Sequence, residues 1–339
     1  MTKDRFTGSL LGIAVGDALG MPYETMSPEE IAAVSVDLSQ FQDAGVNPHP
    51  FPDAKGQLPG SWTDDTQLTL VMADSLIANS GDLVMADVAR RHVEALRHPV
   101  GWGGSTRKSC ERLALGYSWE HSGEPNGGGN GVMMKIAPVG LREALAFKRP
   151  LKEFLRQCIR IGRMTHGVTP AVVAGCVHAV AVMRLVQNQE IDSFAGDDFL
   201  EFLKYVAICA EELLPVHPVT ISGIISNLES DYFSGVLARQ NAAQIGKHFG
   251  SGTKVAFTAW NSFGIVYSCF LRYPHSFNGI YETIAAGGDT DSNASMLGAL
   301  LGALNGKKIV PEHLCAGLRD CSKIEATAAD LFSVCSVLT

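Results

Sequence analysis

Four glycines, Gly8, Gly12, Gly16 and Gly20, recur at every fourth position of the segment GSLLGIAVGDALG. At 3.6 residues per turn this spacing sets them on one face of a helix, a smooth ridge against which another backbone can rest. Each interior glycine costs a helix about 1 kcal/mol relative to alanine. A chain that carries this cost repeatedly is expected to pack something tightly on that face. The segment reads as a core helix, and a core helix can also lie under an active site.

The same period of 3.6 governs most of the remaining chain. Leu151, Phe154, Leu155, Cys158 and Ile159 form one apolar stripe, with Lys152, Glu153, Arg156 and Arg160 off it. Phe199, Leu200, Leu203, Val206, Ala207, Ala210, Leu213 and Leu214 repeat the pattern, and Val88, His92, Val93 and Leu96 mark another helix. Thr169 and Pro170 read as the N-cap and first residue of a helix running to Val186, and Ile324 to Leu338 gives a last one. Period-2 runs are scarce, and no alternation of strand and helix supports a doubly wound sheet. Loops fall at 43–60, with four prolines and three glycines, and at the glycine-rich 121–131. Apolar helices resume on both sides of each without a change of composition, so neither reads as an interdomain linker. The expected architecture is all-α, one compact many-helix domain over residues 1–339.

At 46% hydrophobic and 18% charged residues, the chain is a well-buried globular protein rather than a disordered one. Its 27 Lys and Arg against 35 Asp and Glu leave a net charge of −8, which argues against a dedicated duplex nucleic-acid binder but not against a nucleotide-sized ligand. The eight cysteines form no CxxC pair and several fall in apolar helical patterns, so they read as reduced core residues. The N-terminus lacks a secretory layout. The apolar stretch 170–186 contains His178 and Arg184 and is short for a membrane span, so a buried helix is expected. A cytoplasmic, monomeric protein with no membrane partner is the expectation.

Two short acidic segments stand out: Ser61-Trp62-Thr63-Asp64-Asp65-Thr66 before the apolar run Leu68–Ala78, and Gly287-Gly288-Asp289-Thr290-Asp291-Ser292 before Met296–Leu304. Asp, Ser and Thr are ordinary helix caps, and acids in a first turn complement the helix dipole. A cap, however, needs one side chain, and each segment supplies two acids. Both following helices are strongly apolar, which puts the acids at buried ends, where uncompensated pairs would repel and lose hydration unless cations neutralise them. The donors are all oxygen, suited to Mg²⁺, Mn²⁺ or Ca²⁺ rather than zinc. Asp17, inside the glycine helix, reads as a buried hydrogen-bonding support. Pro22 is expected to end that helix and leave Glu24 on a loop from which it can reach a site.

GSLLGIAVGDALGMPYE, SWTDDTQ, WGGSTRKS, GNGVMMKIAPVGL, MTHGVTPAVVAG and AAGGDTDSNASMLGALLGALNG occur here in the order found in the ADP-ribosylglycohydrolases, which the chain resembles over about residues 6–305. The pair TDDT and GGDTD with the GDALG start makes this a specific signal. The resemblance implies an all-α fold with a central cleft holding two Mg²⁺ or Mn²⁺ ions. Thr63, Asp64 and Asp65 look like the first ligand cluster, and Asp289, Asp291 and Ser292 like the second. Glu24 looks like the acid that reaches the metals or the scissile bond, and Glu24, Asp64 and Asp291 are the catalytic candidates. Asn130, Gly131, Val132 and Met133 resemble the loop that holds ADP-ribose, and His166 the substrate-side histidine. Gly103, Gly104, Ser105 and Thr106 look like a loop near the diphosphate, where glycine-rich amides can cradle phosphate without a basic patch.

The chain departs from the family pattern at Ser292, usually Thr, where the hydroxyl survives. It departs at Lys135, where Arg is common and any bidentate contact becomes a point charge. Asn293 is polar where many members are apolar, and loop 43–60, of a kind that chooses a protein partner, has no strong match. The implied activity is metal-dependent hydrolysis of the bond between ribose C1 and a modified group. This reverses ADP-ribosylation, with arginine-linked mono-ADP-ribose on a protein as the leading substrate. Serine-linked ADP-ribose, O-acetyl-ADP-ribose or a nucleic-acid adduct would use the same fold, and a silent binding or immunity protein is the alternative outside enzymes. An all-α phosphohydrolase or prenyl-type synthase would want a DDxxD-like run, and here Asp65 is followed by Thr-Gln-Leu-Thr.

Overall fold

The computed structural model describes residues 2–51, 54–146, 149–188, 194–253 and 256–337. Among these the chain is helical, with no strand and only two isolated bridges, Glu124 with His166 and Gly129 with Thr258. In chain order the helices are α1 (Thr2–Gly20), α2 (Pro28–Val34), α3 (Asp64–Ala78), α4 (Met85–Ala95), α5 (Gly104–Ala114), α6 (Ala137–Ala146), α7 (Leu151–Thr165), α8 (Thr169–Gln187) and α9 (Gly196–Glu211). They continue with α10 (Ile221–Phe233), α11 (Val236–Arg239), α12 (Ala242–His248), α13 (Ala259–Arg272), α14 (Asn278–Ala285), α15 (Thr290–Asn305), α16 (Glu312–Gly317) and α17 (Cys321–Ser336).

The glycine ridge of α1 is met by the backbone of α15. A Cβ added at Gly8, Gly12, Gly16 or Gly20 would lie 2.4, 2.2, 2.3 or 2.4 Å from backbone atoms of Gly306, Gly298, Ala294 and Thr290 respectively. The partner number falls as the ridge number rises, so the two helices run antiparallel. Any side chain on the ridge would force them apart. All of α15 is buried, as is α1 from Gly8 onward, so the pair lies at the centre of the core. Around this pair, α8 packs on α6, α7, α9, α13 and α15, while α17 closes against α1, α3 and α6.

Several boundaries differ from the sequence reading. Thr169 is the first residue of α8 with Val168 at the N-cap, and its hydroxyl donates to Pro215 O at 2.8 Å. Leu213 and Leu214 lie beyond the end of α9, and Leu338 lies outside the described residues. The α8 segment is long and apolar enough to cross a membrane, but nearly all of it is buried among the other helices. None of the eight cysteines is in a disulfide, and six are buried.

Candidate active site

The site forms where the shared end of α1 and α15 meets the start of α3. The two acidic segments do open helices, but not as caps. Thr63 at the N-cap of α3 and Asp289 at the N-cap of α15 give no side-chain bond to their own helix amides. Asp17 serves α3 from outside. It accepts from Thr63 N–H at 2.9 Å, from Thr66 N–H at 3.0 Å, and from the hydroxyls of Thr63 and Thr66 at 2.9 and 2.6 Å. The orphan amides of that helix start are thus satisfied by a carboxylate on the glycine helix. Asp64 and Asp65 are left free of capping duty. Asp17 is the buried support expected of it, and one of its oxygens also lies within 4.8 Å of carboxylate oxygens of Asp65 and Asp291.

The second segment is placed by two glycines of positive φ, Gly287 at +73° and Gly288 at +85°. Gly288 N–H donates to Met26 O and Thr25 N–H donates to Gly288 O, both at 2.8 Å, which pins the loop after α1 beside Asp289. Thr25 itself holds φ +74°, unusual for a β-branched residue. Asn47 of the 43–60 loop donates to Glu24 O at 2.9 Å. Glu24 is thereby fixed at the cleft, and its carboxylate, with those of Asp289 and Asp291, forms a second group within 4.8 Å.

Two carboxylate groups sharing Asp291 therefore converge from three distant parts of the chain, and apart from Asp17 their members have few donors. Asn130 donates to Asp289 Oδ2 at 2.7 Å, Ser292 N–H to Asp291 Oδ1 at 2.8 Å and the Ser292 hydroxyl to Asp65 Oδ2 at 3.2 Å, while Asp65 Oδ1 is buried with no partner. Burial pushes Asp289 up to about 6, and burial with the charge of Asp291 pushes Asp17 up to about 7. Burial and then repulsion from neighbouring acids hold Glu24, Asp64, Asp65 and Asp291 well above the usual carboxylate range. Such a cluster is stable as a set of acids only when protonated or offset by cations. The unpartnered Asp65 oxygen, the crowding and the all-oxygen donor set fit hard divalent ions.

The acids floor a cleft of about 710 Å³. Glu24, Asp64, Asp289, Asp291 and Ser292 line it, as do Gly103, Gly104, Ser105, Thr106, Asn130, Gly131 and His166. Thr63 and Asp65 are buried outside the lining. Val132 and Met133 are also outside it. Both are fully buried, and Val132 packs against Gly162 and Gly175, so Met134 reaches the cleft in their place. Gly103 to Thr106 are not a loop but the N-cap and first turn of α5, whose N-cap has no side-chain bond to the helix amides. Gly131 lets the His166 ring lie close, since a Cβ there would sit 2.9 Å from its Cε1. Trp102, Lys108, Glu124, Asn126, Phe257 and, on the rim, Phe51 complete the cleft without having been singled out from sequence. Trp102 and Lys108 fall in the WGGSTRKS motif, Glu124 and Asn126 in the glycine-rich 121–131 loop and Phe51 in loop 43–60, whereas nothing local pointed to Phe257.

The ADP-ribosylglycohydrolase family model matches residues 1–338. A solved chain titled ADP-ribosylglycohydrolase-related protein complex superposes with a TM-score of 0.72 at 23% identity, covering 98% of each chain. The ADP-ribosylhydrolase ARH3 of Bos taurus is 26% identical over 91% of this chain and 87% of its own length. The ADP-ribosylarginine hydrolase Tri1 of Pseudomonas putida is 28% identical over 55% of this chain and 47% of its own. The chain belongs to the ADP-ribosylglycohydrolase family. It is accordingly a hydrolase of glycosidic bonds, with an acidic centre able to hold metal ions.

Proposed function

We propose that the protein removes mono-ADP-ribose from arginine side chains of a modified protein, with two Mg²⁺ or Mn²⁺ ions as cofactors. The observation that carries this reading is the convergence of Asp64 and Asp65 with Asp289, Asp291 and Glu24 on one side of a nucleotide-sized cleft. Arginine as the linkage draws on the resemblance to Tri1, whose name states that substrate. The protein is taken to act as a monomer. Free thiols suit a cytoplasmic setting.

Thr63, Asp64, Asp65, Asp289, Asp291 and Ser292 would hold the ions, with Asp17 fixing the first three. Thr63 directs its hydroxyl hydrogen to Asp17 and Ser292 directs its own to Asp65, which leaves oxygen lone pairs on both for coordination. When bound, the ions supply positive charge that polarises sugar hydroxyls and a water. Cleavage at ribose C1 builds oxocarbenium character, which the surrounding carboxylates favour electrostatically. Glu24, partly exposed on the cleft wall, is the carboxyl placed to carry a proton to or from water or the departing group at its Oε atoms. The amides opening α5 face the diphosphate, and His166 and the 126–131 turn hold the nucleotide end.

The test is a substrate panel. Protein carrying arginine-linked, serine-linked or O-acetyl ADP-ribose is incubated with the enzyme and Mg²⁺ or Mn²⁺, and free ADP-ribose is quantified. Release from the arginine adduct and its loss with chelator are expected. Release from the serine or O-acetyl adduct alone would reassign the linkage. No release from any, with ADP-ribose still bound, would mark a binding protein.

A further inference from the structure

Behind the cleft lies a buried pair, Lys135 and Thr165, that the chemistry above does not use. Lys135 is fully buried, and its Nζ donates to Thr165 Oγ1 at 3.2 Å. The same Thr165 oxygen meets His166 Nδ1 at 2.9 Å. Thr165 is also fully buried, and its hydroxyl has one hydrogen to give and two lone pairs to receive. An ammonium has no lone pair, so Lys135 can only donate, and it takes one of those lone pairs. If His166 Nδ1 carried the ring proton it would take the other, and the Thr165 hydrogen would be left buried without an acceptor. That arrangement costs about 1–3 kcal/mol. If instead Thr165 donates to a bare Nδ1, its hydroxyl hydrogen has an acceptor and both contacts are made. The ring proton then sits on Nε2, the edge that faces Gly129 and Gly131 at the cleft. Burial, with the charge of Lys135, drives His166 down to about 3, so the ring is neutral and its tautomer decides what it offers.

We propose that Lys135 is a positioning residue. Through Thr165 it fixes the His166 tautomer so that Nε2–H is presented to the cleft as a donor for a ligand oxygen. A lysine point charge suffices, because the task is one hydrogen bond to one hydroxyl rather than a bidentate grip. The identity of that ligand as ADP-ribose rests on the function proposed above, whereas the tautomer does not.

The test joins a spectroscopic and a binding measurement on the full chain. Ring ¹⁵N NMR of His166 should show Nδ1 bare and Nε2 protonated in the wild type. In Lys135→Met the two tautomers should mix, and ADP-ribose affinity should fall in proportion to the share of rings that lose Nε2–H, about twofold for an even mixture. Mn²⁺ affinity should not weaken in that variant. Lys135→Arg should restore the wild-type tautomer, Thr165→Ser should keep it, and Thr165→Val should lose it. A protonated Nδ1 in the wild type overturns the proposal, as does a Lys135→Met protein with tautomer and affinity unchanged. Should ADP-ribose fail to bind the wild type while Nε2 is protonated as expected, the proposed substrate falls and the positioning role stands.

Discussion

The contact between α1 and α15 has two halves of opposite character. From Gly8 to Gly16 the helices touch backbone to backbone. Past Gly20 the same seam runs into Thr290 and Asp291, where buried carboxylates converge with too few donors. The first half fixes where the second half must be. Because glycine allows no slack between the helices, Asp17 and Asp291 are held at set positions, and the acid cluster cannot relax by moving apart. Close packing thus maintains an arrangement that electrostatics alone would disperse. The remaining imbalance is what a divalent ion can offset.

The comparison breaks most sharply at Asp291, the one carboxylate common to both acid groups. Asp291→Ala should lower metal-dependent turnover on the order of 10³-fold, the scale of several kcal/mol of lost stabilisation, with helical content by circular dichroism retained. Normal turnover would remove the basis for the shared centre. In the glycine half the consequence is structural. Gly12→Ala gains helix propensity, yet its Cβ would fall 2.2 Å from Gly298 O, so denaturant unfolding should show a loss of about 3 kcal/mol. A Gly103→Ala change on the cleft, where a Cβ meets open space, should leave stability unaltered.

A third test uses pH. Asp289 and Asp17 are raised to about 6 and about 7 from an ordinary value near 4. A raised carboxyl contributes stability below its unfolded pKa and loses it as pH climbs through the folded one. Metal-free protein should therefore lose stability from this source between about pH 4 and pH 7, while metal-bound carboxylates stay ionised throughout. The rise in Tm caused by a fixed concentration of Mn²⁺ should grow across that window. His92 and His178, lowered to about 3 by burial, act in the reverse sense but equally in both forms, so they cancel from the difference. A Tm shift independent of pH would contradict the account. His166→Ala should weaken ADP-ribose by about tenfold and leave Mn²⁺ affinity unchanged by calorimetry.

What was legible in the sequence follows the same division. The glycine ridge and the apolar stripes are periodic, and local geometry turns period into contact, so α1, α7, α8 and α15 could be read directly. Asp17 was legible because a lone acid in an apolar helix must find donors. The capping alternative for the two acidic segments was equally legible, and only tertiary geometry decides it, since Asp17 arrives from α1 to do the capping. Val132 and Met133 share a glycine-rich stretch with Asn130, and nothing local says that the chain turns into the core one residue after Gly131. Asn130 donating to Asp289, and Trp102, Lys108 and Phe257 meeting across the cleft, depend on segments more than 100 residues apart in part, beyond the reach of any periodic signal.

The most direct test is a crystal grown in Mn²⁺ and measured for anomalous scattering. Anomalous peaks within coordination distance of Asp64 or Asp65 on one side and Asp289 or Asp291 on the other are the result expected. Manganese absent from this cluster at saturating concentration, with the acid-bearing starts of α3 and α15 turned away from each other, would contradict it.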